Sequence, residues 1–248
     1  MQELKISLIT VVYNAETTIG RCIESVISQN FKNVEYIVID ACSTDKTKQI
    51  INHYSNYINV FRSEPDSGIY DAMNKGIKLA HGDVIGTLNA DDFFADDCVL
   101  SEIAAAFITQ NSDILYADLD YVNPAGKIIR KWRSGGYANG MFNWGWMPPH
   151  PTFYCKTGLF KKLGYYKQEY GTAADYELML RFMHTHRINS FYLNKVTVKM
   201  TVGGISNKSY RNRVQALFND SKAMRTHNIL FPLLTLVCKP LRKLFQFF

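Results

Sequence analysis

Four short runs rich in β-branched residues, KISLITVVY, VEYIVID, INVFRS and VIGTL, alternate with stretches whose apolar residues recur at helical spacing. No other feature of the chain restricts its fold as tightly. A run that is apolar at nearly every position reads as a strand buried on both faces, and such strands belong to parallel sheets covered by helices. Between the runs, Ile19, Cys22, Ile23, Val26 and Ile27 form a stripe within Thr17–Gln29. Ile50, Ile51 and Tyr54 mark a second helix, with Ser43 and Thr44 as its expected caps, and Ile69, Met73, Ile77 and Ala80 mark a third. The alternation predicts βαβ units and an α/β fold with a mostly parallel sheet.

In such a sheet, ligands bind beyond the carboxyl ends of the strands. Three polar groups fall there: Tyr13–Asn14, Asp40 and Asn89–Asp92. The first strand leads into YNAETT, without glycine, and neither a dinucleotide fingerprint nor a P-loop is present. Adjacent carboxylates at a strand mouth repel each other unless a cation neutralises them. Hard divalent ions take oxygen ligands, commonly one or two carboxylates together with substrate phosphates. Asn89, Asp91 and Asp92 suit that role, whereas Asp96 and Asp97 precede a helix over Asp97–Phe107 and suit its N-terminus.

The pattern then loosens. DILYADLDYV and KIIRKWR read as strands around an Asn123–Gly126 turn, and 135–151 reads as a long loop. Ala173–His184 and Lys208–Arg225 read as helices. Residues 1–227 are expected to form one domain, with a nucleotide-binding half (1–107) and a half that builds the rest of a cleft (108–227). Hydrophobic residues at 47% and charged residues at 20% exclude a disordered chain. The five cysteines lie far apart and read as reduced, buried thiols. The Ile6–Tyr13 run is shorter than a secretion-signal core, and with reduced thiols the expected location is the cytoplasm. A net charge of +6 suits an anionic partner. Residues 228–248 join Leu and Phe to Lys239, Arg242 and Lys243. They read as a segment lying on the cytoplasmic face of a membrane, as a helix packed on the protein, or as a dimer contact.

Motif order and content resemble a family 2 glycosyltransferase of the GT-A fold. The opening SLITVVYNAETTIGRCIESVISQNFKNVEYIVIDACSTDKT is similar to the family's first block. DSGIYDAMNKGIKLAHGDVIGTLNADDFF is similar to the block ending in its Asp-x-Asp metal motif, and TAADYELMLR to the block that carries the base. The resemblance implies an inverting enzyme that moves a sugar from a nucleoside-diphosphate sugar, UDP being the family's commonest nucleotide, to a saccharide or lipid-linked acceptor. The implied setting is bacterial surface-polysaccharide synthesis. It implies Thr10, Tyr13, Asn14, Asp40, Asn74, Lys75, Asn89, Ala90 and Asp91 at the nucleotide sugar, with Asp40 reading the base. Asp91 and Asp92 would hold Mg2+ or Mn2+. Asn89 stands where many members carry the first Asp, and Met73 where an Arg is frequent, which leaves Lys75 as the nearest cation to the diphosphate.

Asp175 is the expected base. Inverting transfer needs one carboxylate to take the acceptor's proton, and a helix cap is the other role open to it. Glu177 is expected to face solvent or support the site. Trp144 and Trp146 read equally as an acceptor platform and as packing, and His150, between two prolines, reads as a contact to acceptor or diphosphate. Two alternatives share parts of this pattern. A sugar nucleotidyltransferase calls for a glycine-rich basic loop where this chain has YNAETT, and a non-catalytic nucleotide-sugar binder would account for Asn89.

Overall fold

The computed structural model describes residues 4–202, 210–244 and 246. Strand β1 (Ile6–Val12) is buried along its whole length and pairs in parallel with β2 (Val34–Asp40) and β4 (Val84–Thr87), while β2 pairs in parallel with β3 (Val60–Ser63). Alternate side chains of β1 enter two different cores. Ile6, Leu8 and Val12 pack with Cys22 and Ile23 of α1 (Ile19–Ile27) and with Ile103 and Phe107 of α4 (Val99–Gln110). Ile9 and Val11 face the other way, with Met73 and Ile77 of α3 (Ile69–Leu79). A strand that feeds two apolar layers has no polar face, which is why its sequence shows no alternation. Helix α2 (Thr47–His53) completes the first half. Its expected caps serve elsewhere: the Thr47 amide donates to Asp45 (2.9 Å), while the Ser43 hydroxyl is engaged by Asp40 and by the Asn14 amide.

The sheet continues in the order β3-β2-β1-β4-β8-β6-β9-β5, with β7 beside β6. Strand β6 (Ile114–Val122) turns through Asn123–Gly126 into β7 (Ile128–Trp132), as the sequence predicts. Nothing in the sequence reading marks β5 (Asp92–Phe94), β8 (Tyr154–Lys156), helix α5 (Thr157–Leu163) or β9 (Ser190–Thr201). Yet β8 joins the halves, pairing antiparallel with both β4 and β6, and β9 runs parallel to β6 along its whole length. The register of β9 shifts opposite Ala117–Leu119, and the polar pair Asn194–Lys195 interrupts its apolar pattern there.

Helix α6 (Ala174–Met179) continues as a π turn over Leu180–Thr185. Glu177 does not face solvent. It is fully buried, with one oxygen 3.0 Å from Arg181 and the other 3.0 Å from His227 and 3.4 Å from Lys167. Arg181 also donates to the carbonyls of Leu163 and Tyr165. A buried carboxylate requires such partners, and this group ties α6 to the end of α7 (Tyr210–Thr226). Lys208 and Ser209, at the start of the helix expected there, lie outside the described residues. The last segment forms α8 (Pro232–Leu244). One face of α8 packs on the 3-10 turn Met141–Trp144, where the Thr235 hydroxyl donates to the Asn143 carbonyl (2.6 Å).

Gly86 in β4 lies under the fully buried ring of Tyr154, and a Cβ there would meet ring carbon at 2.0 Å. Gly86→Ala should therefore destabilise by about 1–3 kcal/mol, the range for overpacked cores, seen as a melting point lower by roughly 2–4 °C per kcal/mol. An unchanged melting curve would mean that β4 and β8 do not meet there.

Candidate active site

Parallel register brings the carboxyl ends of the first strands to one edge: Val12 lies opposite Asp40, and Asp40 opposite Ser63. Two loops are stitched together beyond that edge. The Asn14 amide donates to Ser43 Oγ (2.8 Å), Asn14 Oδ1 accepts from the Thr44 amide (2.8 Å), and the Ala15 amide donates to Thr47 Oγ1 (2.8 Å). Asn14 and Cys42 both take left-handed backbone, φ 46° and 56°, a conformation Asn tolerates better than most residues. The Asp40 carboxylate is buried and accepts from Ser43, both amide and hydroxyl, and from the Ser63 hydroxyl (2.6 Å). Tyr13 projects into solvent at the same edge. The Thr10 side chain sits within the α1 core, where its hydroxyl accepts from Tyr36 (3.1 Å).

The acid pair follows β4. Asn89 Nδ2 donates to Asp92 Oδ2 (3.0 Å), and the Asp92 amide closes a turn onto the Asn89 carbonyl (3.0 Å). Burial raises the pKa of the Asp91 carboxyl. Asp92 is pushed up further, by deeper burial and then by the charge of Asp91. Arg21 of α1 opposes both shifts. Its guanidinium lies over Phe93, 4.2 Å from the ring centre, and donates to Thr201 (2.6 Å). Asn89 Oδ1 and Asp92 Oδ1 are buried without a hydrogen-bond partner among the described residues. Unpaired oxygens beside a second carboxylate form a donor set that a hard divalent ion satisfies, so these residues fit Mg2+ or Mn2+. A second group, Asp96, Asp97 and Cys98, is more open. There the Cys98 amide donates to Asp96 (2.9 Å) and Lys195 pairs with Asp96 (3.0 Å), consistent with a role at the start of α4.

Asp175 lies in the first turn of α6, one residue past its start rather than at the capping position, and accepts from the Tyr176 amide (2.8 Å). Its charge reaches Tyr70, Tyr166 and His150. Burial and the neighbouring Asp175 hold the Tyr70 hydroxyl well above its ordinary pKa. Burial pushes His150 down, with Asp175 acting against that shift. His150 Nε2 is 2.7 Å from the Tyr166 hydroxyl, and the Tyr166 ring packs on Tyr70 at 5.4 Å. Tyr70 opens α3, which follows β3, so this group also lies at the carboxyl edge of the sheet.

Other expected site residues have evident structural partners. Asn74 spends both ends of its amide on the Tyr166 backbone (2.8 and 3.0 Å). Lys75 pairs with Glu64 (3.1 Å) and Asp71 (3.5 Å) and donates to the Pro65 carbonyl. Trp146 is buried against Phe142 and Tyr137 and donates to the Ser134 carbonyl (2.8 Å), so packing accounts for it. Trp144 is exposed. Tyr70, Tyr166, Ser63 and Arg21 are not among the site residues expected from the sequence. Tyr70 could have been found, because it stands at the start of a helix that follows a parallel strand. Arg21 and Tyr166 carry no local signal.

The glycosyl transferase family 2 model matches residues 7–166. A PGL/p-HBAD biosynthesis glycosyltransferase of Mycobacterium bovis is 28% identical over 211 residues, covering 81% of this chain and 78% of that relative. TarS 1-349 of S. aureus, solved in complex with UDP-GlcNAc, matches with a TM-score of 0.68 at 22% identity, over 93% of this chain and 73% of that one. The chain spans 39% of a longer TarS structure. The mannosyltransferase PcManGT of Pyrobaculum calidifontis, solved with GDP-Man and Mn2+, matches with a TM-score of 0.70 at 16% identity, over 97% and 73%. The architecture is that of a GT-A glycosyltransferase. The chain belongs to glycosyl transferase family 2.

Because Asp92 ionises reluctantly in the folded chain, its own contribution to metal-free stability should fall as pH rises above the ordinary carboxylate value of 3.8. Asp92→Asn should flatten that slope and melt higher at neutral pH without metal, by roughly 2–4 °C for each kcal/mol relieved. Mn2+ should raise the melting point of the native chain and not of the variant. A Mn2+ shift that survives the substitution would remove Asp92 from the ion's ligands.

Proposed function

We propose that this glycosyltransferase moves a sugar from a nucleoside-diphosphate sugar, UDP-linked, to an acceptor hydroxyl with inversion, and that Asp175 is the base. The observation that carries the reading is a pair of acidic groups at one sheet edge: Asn89–Asp91–Asp92 with its unsatisfied oxygens, and Asp175 among Tyr70, Tyr166 and His150. The UDP-GlcNAc complex of TarS supports the donor class, and the Mn2+ of PcManGT supports a divalent ion.

In this reading, residues 1–107 hold the donor and 108–227 build the acceptor side. Tyr13 and Asn14 flank the nucleotide, and Asp40 meets the base while keeping its loop in shape through Ser43 and Ser63. Asn89, Asp91 and Asp92 would hold the divalent ion. When bound, such an ion supplies positive charge against the departing diphosphate. The acceptor hydroxyl gives its proton to Asp175 as its oxygen attacks the anomeric carbon. The bond from that carbon to the diphosphate oxygen breaks, and the nucleoside diphosphate leaves with the electron pair. Tyr70 positions the Asp175 carboxylate, while His150 and Tyr166 border the acceptor. The pathway is bacterial surface-polysaccharide synthesis on the cytoplasmic face of the membrane, with a saccharide on a lipid carrier as acceptor. Among the described residues no helix is long and apolar enough to cross a membrane. Family membership favours this reading over the nucleotidyltransferase and non-catalytic alternatives.

The test is a panel of nucleotide sugars with Mn2+ or Mg2+, read as release of nucleoside diphosphate with and without lipid-linked acceptors. A UDP-sugar should be turned over, and EDTA should abolish turnover. Asp175→Asn should lower turnover by roughly 10²–10⁴-fold while donor affinity is kept. Near-native transfer by that variant, full activity in excess chelator, or a product with retained configuration would each overturn the part it addresses.

A further inference from the structure

Helix α8 has two unlike faces. On the inner one, Thr235 is buried against Asn143, and Lys239 pairs with Asp220 (2.7 Å) and lies over the Tyr176 ring, 3.6 Å from its centre. On the outer one, Leu233, Val237 and Leu241 follow one another at a spacing of four residues and are 75%, 57% and 50% exposed. That spacing sets them in one stripe along the helix. Leu230 and Phe231, just ahead of it, are exposed too. A contiguous apolar stripe left in water marks a surface that meets something.

Charge indicates what it meets. Residues 228–248 contain Lys239, Arg242 and Lys243 and no acidic side chain. Partial desolvation, together with the charges of Lys239 and Arg130, pushes the Lys243 ammonium below its ordinary pKa, with Asp220 acting against them. Arg242 and Lys243 are exposed at the end of the same helix, next to Leu241. The outer face of α8 and its end thus present apolar and cationic side chains together. A two-fold contact of this face with a second copy would gather the cations of both chains, while Asp220 already serves Lys239. An anionic bilayer satisfies both characters, since apolar groups enter the acyl boundary and cations meet headgroup phosphates.

We propose that the outer face of α8 is a docking surface for an anionic membrane. Leu233, Val237 and Leu241 enter the acyl boundary, and Arg242 and Lys243 sit at the phosphates. The inner face of α8 touches Tyr176, the neighbour of Asp175, so docking holds the base region beside the bilayer. The purpose, an acceptor presented from a lipid, rests on the reading of the site given above; the docking itself does not.

The test is density-gradient flotation of the full chain with phosphatidylglycerol-containing vesicles and with phosphatidylcholine vesicles. The native chain should float with the first, less so at high salt, and stay behind with the second. L233D/V237D and R242E/K243E should each reduce vesicle partitioning by about tenfold or more, with unchanged circular dichroism and gel-filtration volume. If the apolar variant unfolds, the charge variant still decides. Absence of flotation, flotation undiminished in the folded variants, or a native dimer that the apolar variant splits without any lipid binding would overturn the proposal. No nucleotide sugar is needed, so this result and that of the donor panel fail separately.

Discussion

Everything at the site hangs from a single strand that has no free side. β1 is paired along both edges and buried on both faces, so its position is fixed by two ladders and two cores at once. Its register sets Val12 beside Asp40, and the residues after each strand have nowhere to go except past the same edge. The polar loops at Tyr13–Asn14 and at Asn89–Asp92 are placed by the strands that precede them. Side chains at such an edge can be held precisely because the backbone beneath them cannot shift without disturbing both layers.

The chain treats its buried acids in opposite ways. Asp40 is met by hydrogen-bond donors at both oxygens, and its negative charge keeps a loop in shape. Glu177 is met by Arg181, His227 and Lys167, and holds helices together. Asp92 receives a hydrogen bond from Asn89 at one oxygen and no partner among the described residues at the other, with a second acid next to it and Arg21 softening the repulsion. Structural acids are satisfied from within, whereas an acid left short of donors costs stability unless a ligand supplies what is missing. Seen this way, Asn89 in place of an aspartate reduces the repulsion and keeps an oxygen facing the same space.

The first half was legible because each of its strands and helices has a local signature: Val and Ile runs for strands buried on both sides, a four-residue rhythm for α1 and α3. The same patterns pointed to the edge where the acids lie, and the family blocks supplied the roles. The second half was not legible in that way. β8 has three residues and no room for a periodicity. β9 shifts register midway, so its pattern is broken where the strand is not. Glu177 looked like a surface residue because the cations that surround it come from sequence positions 167, 181 and 227. Trp146 and Asn74 carry side chains suited to ligands, yet each has its hydrogen-bonding groups taken by backbone that only the folded chain brings near.

The place of β8 between β4 and β6 has a consequence during synthesis. When β1 to β4 have emerged, β4 is a bare edge, and the strand that covers it lies well downstream, beginning at Tyr154. At roughly 5–20 residues per second that interval lasts several seconds, with an apolar parallel sheet open along one side. An uncovered edge of this kind invites pairing with other chains. Gly86 is what the finished protein needs beneath Tyr154, and it also makes β4 a weak template while it waits, since a glycine lowers strand propensity where it stands. The position that admits the closing strand is therefore also the one that slows the wrong one.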